Sequence, residues 1–387
     1  MFDTFWGYPR ENGSVGIRNY VLIVPAVICA TEVAFKIKSK LKNVVVLDNQ
    51  YGCAQIEKDV QQTLHTLSGL ARNPNVASVL VIGLGCETLE YQPLVEEIAQ
   101  SGKPVEWFTI QETGGTSKSA KKGIEICRKF LSDAEKITRK EYPLKMLTLG
   151  TECGGSDAFS GLSANPAIGV AADILVSKGG RVILSETPEM IGAEHLLAAR
   201  AVNPIVARQV LEMVARTEKM ALDLGIDIRS ANPSPGNKNG GITTLEEKSL
   251  GCIYKGGTTP VQEVIEYSQI PSKQGLVVMD TPGYDVQSLI GMAAGGSQIS
   301  VFSTGRGTPT GCPICPVIKI SSNTPIYERM KENIDINAGV VLDGKSTVQK
   351  IGQKIFKLMG DVANGKKTAA EKLGHNEFGI TRIGPTF

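Results

Sequence analysis

The sequence predicts an α/β protein built as two lobes, each a mainly parallel, helix-covered sheet of the Rossmann-like kind. Three observations carry this. Short apolar runs alternate with helix-spaced stretches through the first 140 residues. The most charged stretch of the chain, SDAEKITRKEYP at 132–143, then interrupts the alternation and ends in proline. Past it the alternation resumes, and 387 residues exceed the size at which a single core stops growing. Strands separated by amphipathic helices belong in parallel sheets covered on both faces. The division expected is an N-terminal α/β domain at 1–140 and a C-terminal α/β domain at 141–387 that carries the chemistry.

In chain order, the apolar run 21–27 reads as a strand, and helical spacing follows over 31–42. The next strands are 44–47, 78–84 and 105–110, with helices near 57–71, 92–100 and 117–134. In the second lobe, 145–149 and 181–184 read as strands, and 167–177, 189–199 and 205–224 as helices. SANPSPGNKNGG at 230–241 is too polar and too rich in breakers to be an element, and a loop of that length is often functional. Later strands are 276–279, 300–303 and 317–320, and the last helix is 348–359.

Composition excludes several classes. Lys plus Arg number 41 against 39 for Asp plus Glu, so the net charge of +2 gives no reason to expect nucleic acid or an anionic membrane as partner. No apolar run approaches the ~20 residues of a membrane span. The first ten residues lack the basic-then-apolar order of a signal peptide, so a cytoplasmic enzyme is expected. Eight cysteines are too sparse for a disulfide scaffold and read as packing, metal ligands or catalytic thiols. With only His65, His195 and His375, a histidine-rich metal site is hard to build.

Three cysteines share one setting. Cys53 in YGCA, Cys86 in GLGCE and Cys153 in GTECGG each follow a strand and are flanked by glycine. Ligands of open α/β sheets bind outside the carboxyl ends of strands, so three thiolates delivered there could hold an iron centre and leave a position open for substrate. Cys29, Cys127 and Cys252 lack this context and read as core. GCPICP at 311–316 holds a C-x-x-C whose uses could be redox, metal or plain loop packing. Arg306 between two glycines, after the strand 300–303, suits a carboxylate clamp because its planar fork matches the anion. Asn237 and Lys238 in PGNKNGG could bind a carboxylate or hydroxyls, and Arg10, Arg18 and Asn19 could reach a site at the sheet edge. Glu152, Ser156 and Asp157 crowd around Cys153; Glu186 ends a strand, and His195 follows soon after. Glu152, Asp157, Glu186 and His195 are the acid–base candidates. A dinucleotide fingerprint is absent: Gly83-x-Gly85 lacks the third glycine.

Together these segments resemble the altronate/galactarate dehydratase family. The matching pieces are GYPRENGSVGIRN at 7–19, YGC at 51–53, NPNVASVLVIGLGCE at 73–87, GTECGGSDAFSGLSANPAIG at 150–169 and RSANPSPGNKNGGITTLEEKSLG at 229–251. TGRGTP at 304–309, PVIKISSNT at 316–324 and DINAG at 335–339 continue the series, and Lys319 counts with Ser156 among the substrate-binding candidates. The resemblance implies dehydration of a 2,3-dihydroxy acid to a 2-keto acid with divalent iron; an iron–sulfur cluster on the three cysteines, or manganese, is the alternative. A relative of the same build resembles the large subunit of sulfolactate sulfo-lyase, and a non-catalytic sugar-acid binding subunit or a thiol redox protein are readings of another class. Many members begin with a small SAF domain, whereas this sequence starts at GYPRENG, which implies a separate SAF-domain subunit as partner. Self-association into a homo-oligomer is left open.

Overall fold

The computed structural model describes residues 2–387. Its strands are β1 (Thr4–Pro9), β2 (Val15–Gly16), β3 (Tyr20–Pro25), β4 (Val44–Val46), β5 (Val76–Gly83), β6 (Val105–Thr109) and β7 (Lys140–Pro143). They continue with β8 (Thr148–Cys153), β9 (Arg181–Leu184), β10 (Val261–Ile265), β11 (Gly275–Met279), β12 (Ile299–Thr304), β13 (Val317–Ser321) and β14 (Ile336–Asn337). One sheet has the order β4-β3-β5-β6 and a second the order β10-β11-β9-β8-β12-β13-β14; a small third sheet is β2-β1-β7. All pairings within the two large sheets are parallel, and both pairings of the small one are antiparallel.

The period-2 alternation of β3 divides its side chains between two cores. Val21 and Ile23 face the helices Ile28–Lys38 and Thr116–Lys136, while Leu22 and Val24 face Glu57–Arg72 and Tyr91–Ala99. The second core does not stop at the first lobe. Leu289, Ile290 and Ala293 of the helix Asp285–Ala294 join Leu64, Leu67 and Leu70 in it, so the two large sheets share apolar contact.

Three features differ from the sequence reading. The stretch 132–143 is not a free linker: its end is β7, which pairs residue by residue with β1 from Thr4↔Pro143 to Gly7↔Lys140. Arg139 fixes it by donating to the carbonyls of Trp6, Ala363 and Ile17. The polar stretch 230–241 contains the short helix Pro235–Asn239, opened by a capping box of Ser234 and Asn237 with proline in the first turn. The helices Leu245–Cys252 and Asp285–Ala294 lie in stretches to which the sequence reading gave no element.

The sheet orders create two places where strand succession reverses. β3 is flanked by β4 and β5, and β8 by β9 and β12. Crevices outside the carboxyl ends of strands at such points are where open α/β sheets bind ligands. Among the described residues no helix is long and apolar enough to cross a membrane.

Candidate active site

At the reversal in the larger sheet, β8 runs into Gly154-Gly155 and β12 into Gly305-Arg306. The two loops are tied: Gly154 N–H donates to the Ser303 carbonyl and Gly305 N–H to the Gly155 carbonyl, each at 3.0 Å. Above them opens a cleft of about 330 Å³ whose polar lining includes Ser156, Glu189, Asn237, Lys248, Asp285 and Arg306, with Cys153 at its base. Lys248 pairs with Glu189 at 2.8 Å and also donates to Asn232 Oδ1. Burial works against its charge, but the Glu189 carboxylate outweighs it and raises the ammonium pKa. Arg306 is exposed, and its guanidinium makes no hydrogen bond or ion pair among the described residues. A free guanidinium facing a polar cleft is a ready carboxylate receptor.

Below the cleft lies a closed constellation. Lys255 is fully buried, and its ammonium donates to Cys153 Sγ (2.9 Å), Cys252 Sγ (3.0 Å) and Glu186 Oε2. Glu186 Oε2 also accepts from the Cys153 amide at 3.0 Å. Burial opposes the Lys255 charge, yet the surrounding sulfurs and carboxylates push its pKa well up, so it stays protonated. The Cys153 thiol pKa is held up by its contact with Cys252 and by burial.

A row of side chains crosses the sheet beside this group. Glu152, Phe302 and Lys319 are register neighbours on β8, β12 and β13. Glu152 Oε2 accepts from Ser288 (2.6 Å) and Ser185 (3.1 Å), while Oε1 is buried without a partner. Burial first, and Glu186 second, raise its pKa far above the carboxylate range. Lys319 Nζ, also buried without a partner, sits 3.2 Å from the Phe302 ring centre. Burial pulls its pKa down to about 7 despite the nearby Asp285 and Glu152. Asp285 opens its helix at the cleft, and burial with the Glu186 charge raises its pKa to about 6.

Two triads place one ligand atom each within 4.8 Å of the others: Cys153, Glu186 and Cys252, and Glu152, Glu186 and Asp285. In the first, the Lys255 ammonium already bonds all three groups. The second is made of hard oxygen donors and contains the unpartnered Glu152 Oε1, so its residues fit a divalent cation.

Gly154 makes the cleft geometry possible, because a Cβ there would overlap Asp285 Oδ2 and the Phe302 ring. Gly154→Ala should displace the Asp285 carboxylate while leaving the sheet intact. Misplacement of a reacting group by ~1 Å can cost about 100-fold, so kcat should fall on that scale with an unchanged far-UV spectrum. Wild-type kcat in this variant would remove Asp285 from the reacting centre.

The residues predicted from sequence separate into three groups. Ser156, Asn237 and Arg306 line the cleft, Cys153 forms its base, and Glu152, Glu186 and Lys319 lie beneath or beside it. Asn237 is also a brace, since its amide donates to the Ser156 carbonyl at 2.8 Å. Asp157 has a bracing employment instead of an open one: its oxygens accept from Ser160, Ser322 and Asn323. Others are not brought to the cleft. Arg10 donates to Pro74, Asn19 and Arg18, Arg18 pairs with Glu371, and Asn19 donates to Ala134. They precede β3 and therefore lie at the edge of the first sheet opposite its carboxyl ends. His195 is exposed on the helix Glu194–Ala199, which turns Leu197 inward, and Lys238 is exposed outside the lining. The three-cysteine set is not assembled either: Cys53 and Cys86 are exposed on loops of the smaller sheet, and Cys153 is buried with Cys252. Cys312 and Cys315 are buried in the shared core, where burial raises the Cys315 thiol to about 11, which is loop packing and not a reactive redox pair.

Sequence reasoning missed Lys248, Cys252, Lys255 and Asp285. The first three had a signal. Thr244-x-x-Glu247 opens a helix, and positions 248, 252 and 255 share one face by their spacing of four and three.

The family model described as D-galactarate dehydratase/Altronate hydrolase, second domain, matches residues 7–135, and D-galactarate/Altronate dehydratase, C-terminal, matches residues 144–386. Altronate dehydratase of Bacillus subtilis is 36% identical over 394 residues, covering 99% of this chain and 78% of that protein. The (2R)-sulfolactate sulfo-lyase subunit beta of Chromohalobacter salexigens is 36% identical over 382 residues, covering 98% and 97%. Galactarate dehydratase (L-threo-forming) of Escherichia coli is 36% identical over 404 residues, covering 99% and 77%. With both family models matched and similarity running through the whole chain, the protein belongs to the D-galactarate/altronate dehydratase family and is an enzyme of the hydro-lyase class.

Proposed function

We propose that the chain dehydrates an altronate- or galactarate-like 2,3-dihydroxy acid to a 2-keto-3-deoxy acid in the cleft between β8 and β12. The observation that carries this is the unpaired Arg306 sharing one cleft with Asp285, whose pKa is about 6. Arg306 takes the substrate carboxylate in a bidentate pair. Asn237, Ser156 and the Lys248 ammonium face the hydroxyls. Asp285 accepts the C2 proton; the Lys248 ammonium gives a proton to the departing 3-hydroxyl, which leaves as water, and the enol left behind tautomerises to the ketone. Glu152 and Glu186, two of the three oxygen donors gathered here, would hold a divalent cation of the iron or manganese class, leaving Asp285 as the base; when bound it would polarise the carboxylate and the 2-hydroxyl and sharpen the acidity at C2.

A second reading keeps the geometry and changes the leaving group from hydroxide to sulfite. It is favoured by the Chromohalobacter relative, matched at equal identity and over 97% of its length. That relative is a beta subunit, which supports a separate small SAF-domain subunit as partner of this chain. An anaerobic assay with ferrous iron against altronate, galactarate and sulfolactate decides: keto-acid formation from either sugar acid supports the first reading, and sulfite release supports the second.

The clamp has its own test. Lys offers a point charge instead of a fork, and a charge-assisted hydrogen bond is worth ~1.5–3 kcal/mol. Arg306→Lys should therefore lose roughly 10- to 150-fold in kcat/KM with folding and metal content unchanged. Near wild-type kcat/KM would make Arg306 an ordinary surface residue.

A further inference from the structure

Five of the eight cysteines are buried, as the residue type usually is; Cys29, Cys53 and Cys86 are exposed. These three are not scattered. Cys29 follows β3, Cys53 follows β4 and Cys86 follows β5, and those strands are neighbours in the order β4-β3-β5. All three thus leave the carboxyl edge of the smaller sheet around its own reversal of strand succession, the position where such sheets bind ligands.

The loops that carry them are knitted together. Ile28 N–H donates to the Tyr51 carbonyl (3.0 Å), Leu89 N–H to the Gly52 carbonyl (3.0 Å) and Ala54 N–H to Thr88 Oγ1 (3.1 Å). Gly52 has φ +103°, and a Cβ there would overlap the Ala26 carbonyl, so the Cys53 loop lies directly on the turn that leads to Cys29. The Glu87 carboxylate collects the amides of Gly85 (2.6 Å) and Cys86 (3.0 Å) and fixes the third loop. Much of this framework is local hydrogen bonding whose result is to hold three thiols at one rim.

We propose that Cys29, Cys53 and Cys86 are the protein ligands of a four-iron, four-sulfide cluster seated on the carboxyl edge of the smaller sheet. A single ion is the poorer occupant. Metal–sulfur bonds of ~2.3 Å would bring three thiolates to about 4 Å of one another, whereas these three sulfurs do not all lie within 4.8 Å. A cluster binds each thiolate through a different iron and so spans a wider set. Three thiolates leave one iron without a protein sulfur, open to a small oxygen ligand. This rim is tied to the cleft by the end of the chain. Gln287, in the first turn of the helix that Asp285 opens, donates to the Ile380 carbonyl, and Phe387 N–H donates to the Ala54 carbonyl beside Cys53. Seven extended residues reach at most about 25 Å, which bounds the span from Ile380, bonded to the cleft helix, to Phe387 beside Cys53.

The proposal does not depend on the dehydratase reading, and its test reads the cluster directly. The full chain is reconstituted anaerobically with ferrous iron and sulfide, then assayed for bound iron, acid-labile sulfide, charge-transfer absorption and the spin signal of the reduced form. The wild type should hold roughly four irons and four sulfides per chain. Cys29→Ser, Cys53→Ser and Cys86→Ser, each checked for native circular dichroism, should each lose most of both. Cys127→Ala and Cys315→Ala should keep them. Retention of the full cluster by any of the three serine variants overturns the assignment, as does wild-type iron uptake without sulfide. Loss of the cluster in the two alanine variants would equally overturn it.

Discussion

Asp285→Asn should lower kcat by about 100- to 10,000-fold, the range for loss of a positioned proton acceptor, while the metal-free protein becomes no less stable. Asparagine keeps the shape of the side chain at the head of the helix Asp285–Ala294 and removes only the charge. The stability half follows from the pKa of about 6, raised by burial and by Glu186. A carboxyl whose folded pKa lies above its unfolded value of ~3.9 favours the folded state most when protonated. That advantage fades as pH rises from about 4 to about 6, and above it the ionised Asp285 costs stability that asparagine does not. Denaturation midpoints at pH 5 and pH 8 should therefore diverge less in the variant than in the wild type. A residue that merely held the fold together would lose stability along with activity. Equal kcat in variant and wild type would remove Asp285 from the chemistry.

Lys255→Met should destabilise the protein by about 3–5 kcal/mol, the cost of leaving a buried charge without its partner. The ammonium is the hub of the floor, bonding Cys153, Cys252 and Glu186, and both it and Glu186 are almost wholly buried. With the lysine gone, the Glu186 carboxylate faces only the Cys153 amide and the acidic neighbours Glu152 and Asp285. The partner variant decides the cause. Lys255→Met combined with Glu186→Gln removes both charges and should recover a large part of the loss, as measured by urea denaturation. If the double variant is as unstable as the sum of the two single ones, the pair is not coupled and the lysine acts through packing alone.

The α/β class and the strand positions were readable because they rest on short-range signals: apolar runs, helical spacing and breakers. Arg306 was readable for the same reason, since a glycine-flanked arginine after a strand lands at the carboxyl edge whatever the topology. The metal assignment went astray because strand-end cysteines look alike in sequence, while the sheets to which their strands belong do not. Cys53 and Cys86 follow β4 and β5 of one sheet, and Cys153 ends β8 of the other. Cys252 and Cys29 were set aside as core for lack of a flanking motif, and the fold gives each a distinct setting: Cys252 under the cleft and Cys29 at the rim of the smaller sheet. Arg10 and Arg18 were misread because direction along the strand was not weighed. Side chains that enter a strand lie at the opposite end from the ligand crevice, and there their guanidiniums are consumed by Pro74, Asn19 and Glu371. Asp285 had no local signal at all. Its role depends on the closeness of Gly154 and Glu186, which lie far away in sequence.

Proton removal from C2 at Asp285 is the step on which the functional reading rests. The most direct measurement is single-turnover mass spectrometry with substrate deuterated at C2, comparing the iron-supplied wild type with Asp285→Asn under anaerobic conditions. The wild type should cleave the C2–deuterium bond as the 2-keto-3-deoxy acid forms, with slower formation than from the protiated substrate, and the variant should leave the bond intact. Cleavage in the variant at the wild-type rate would contradict the account.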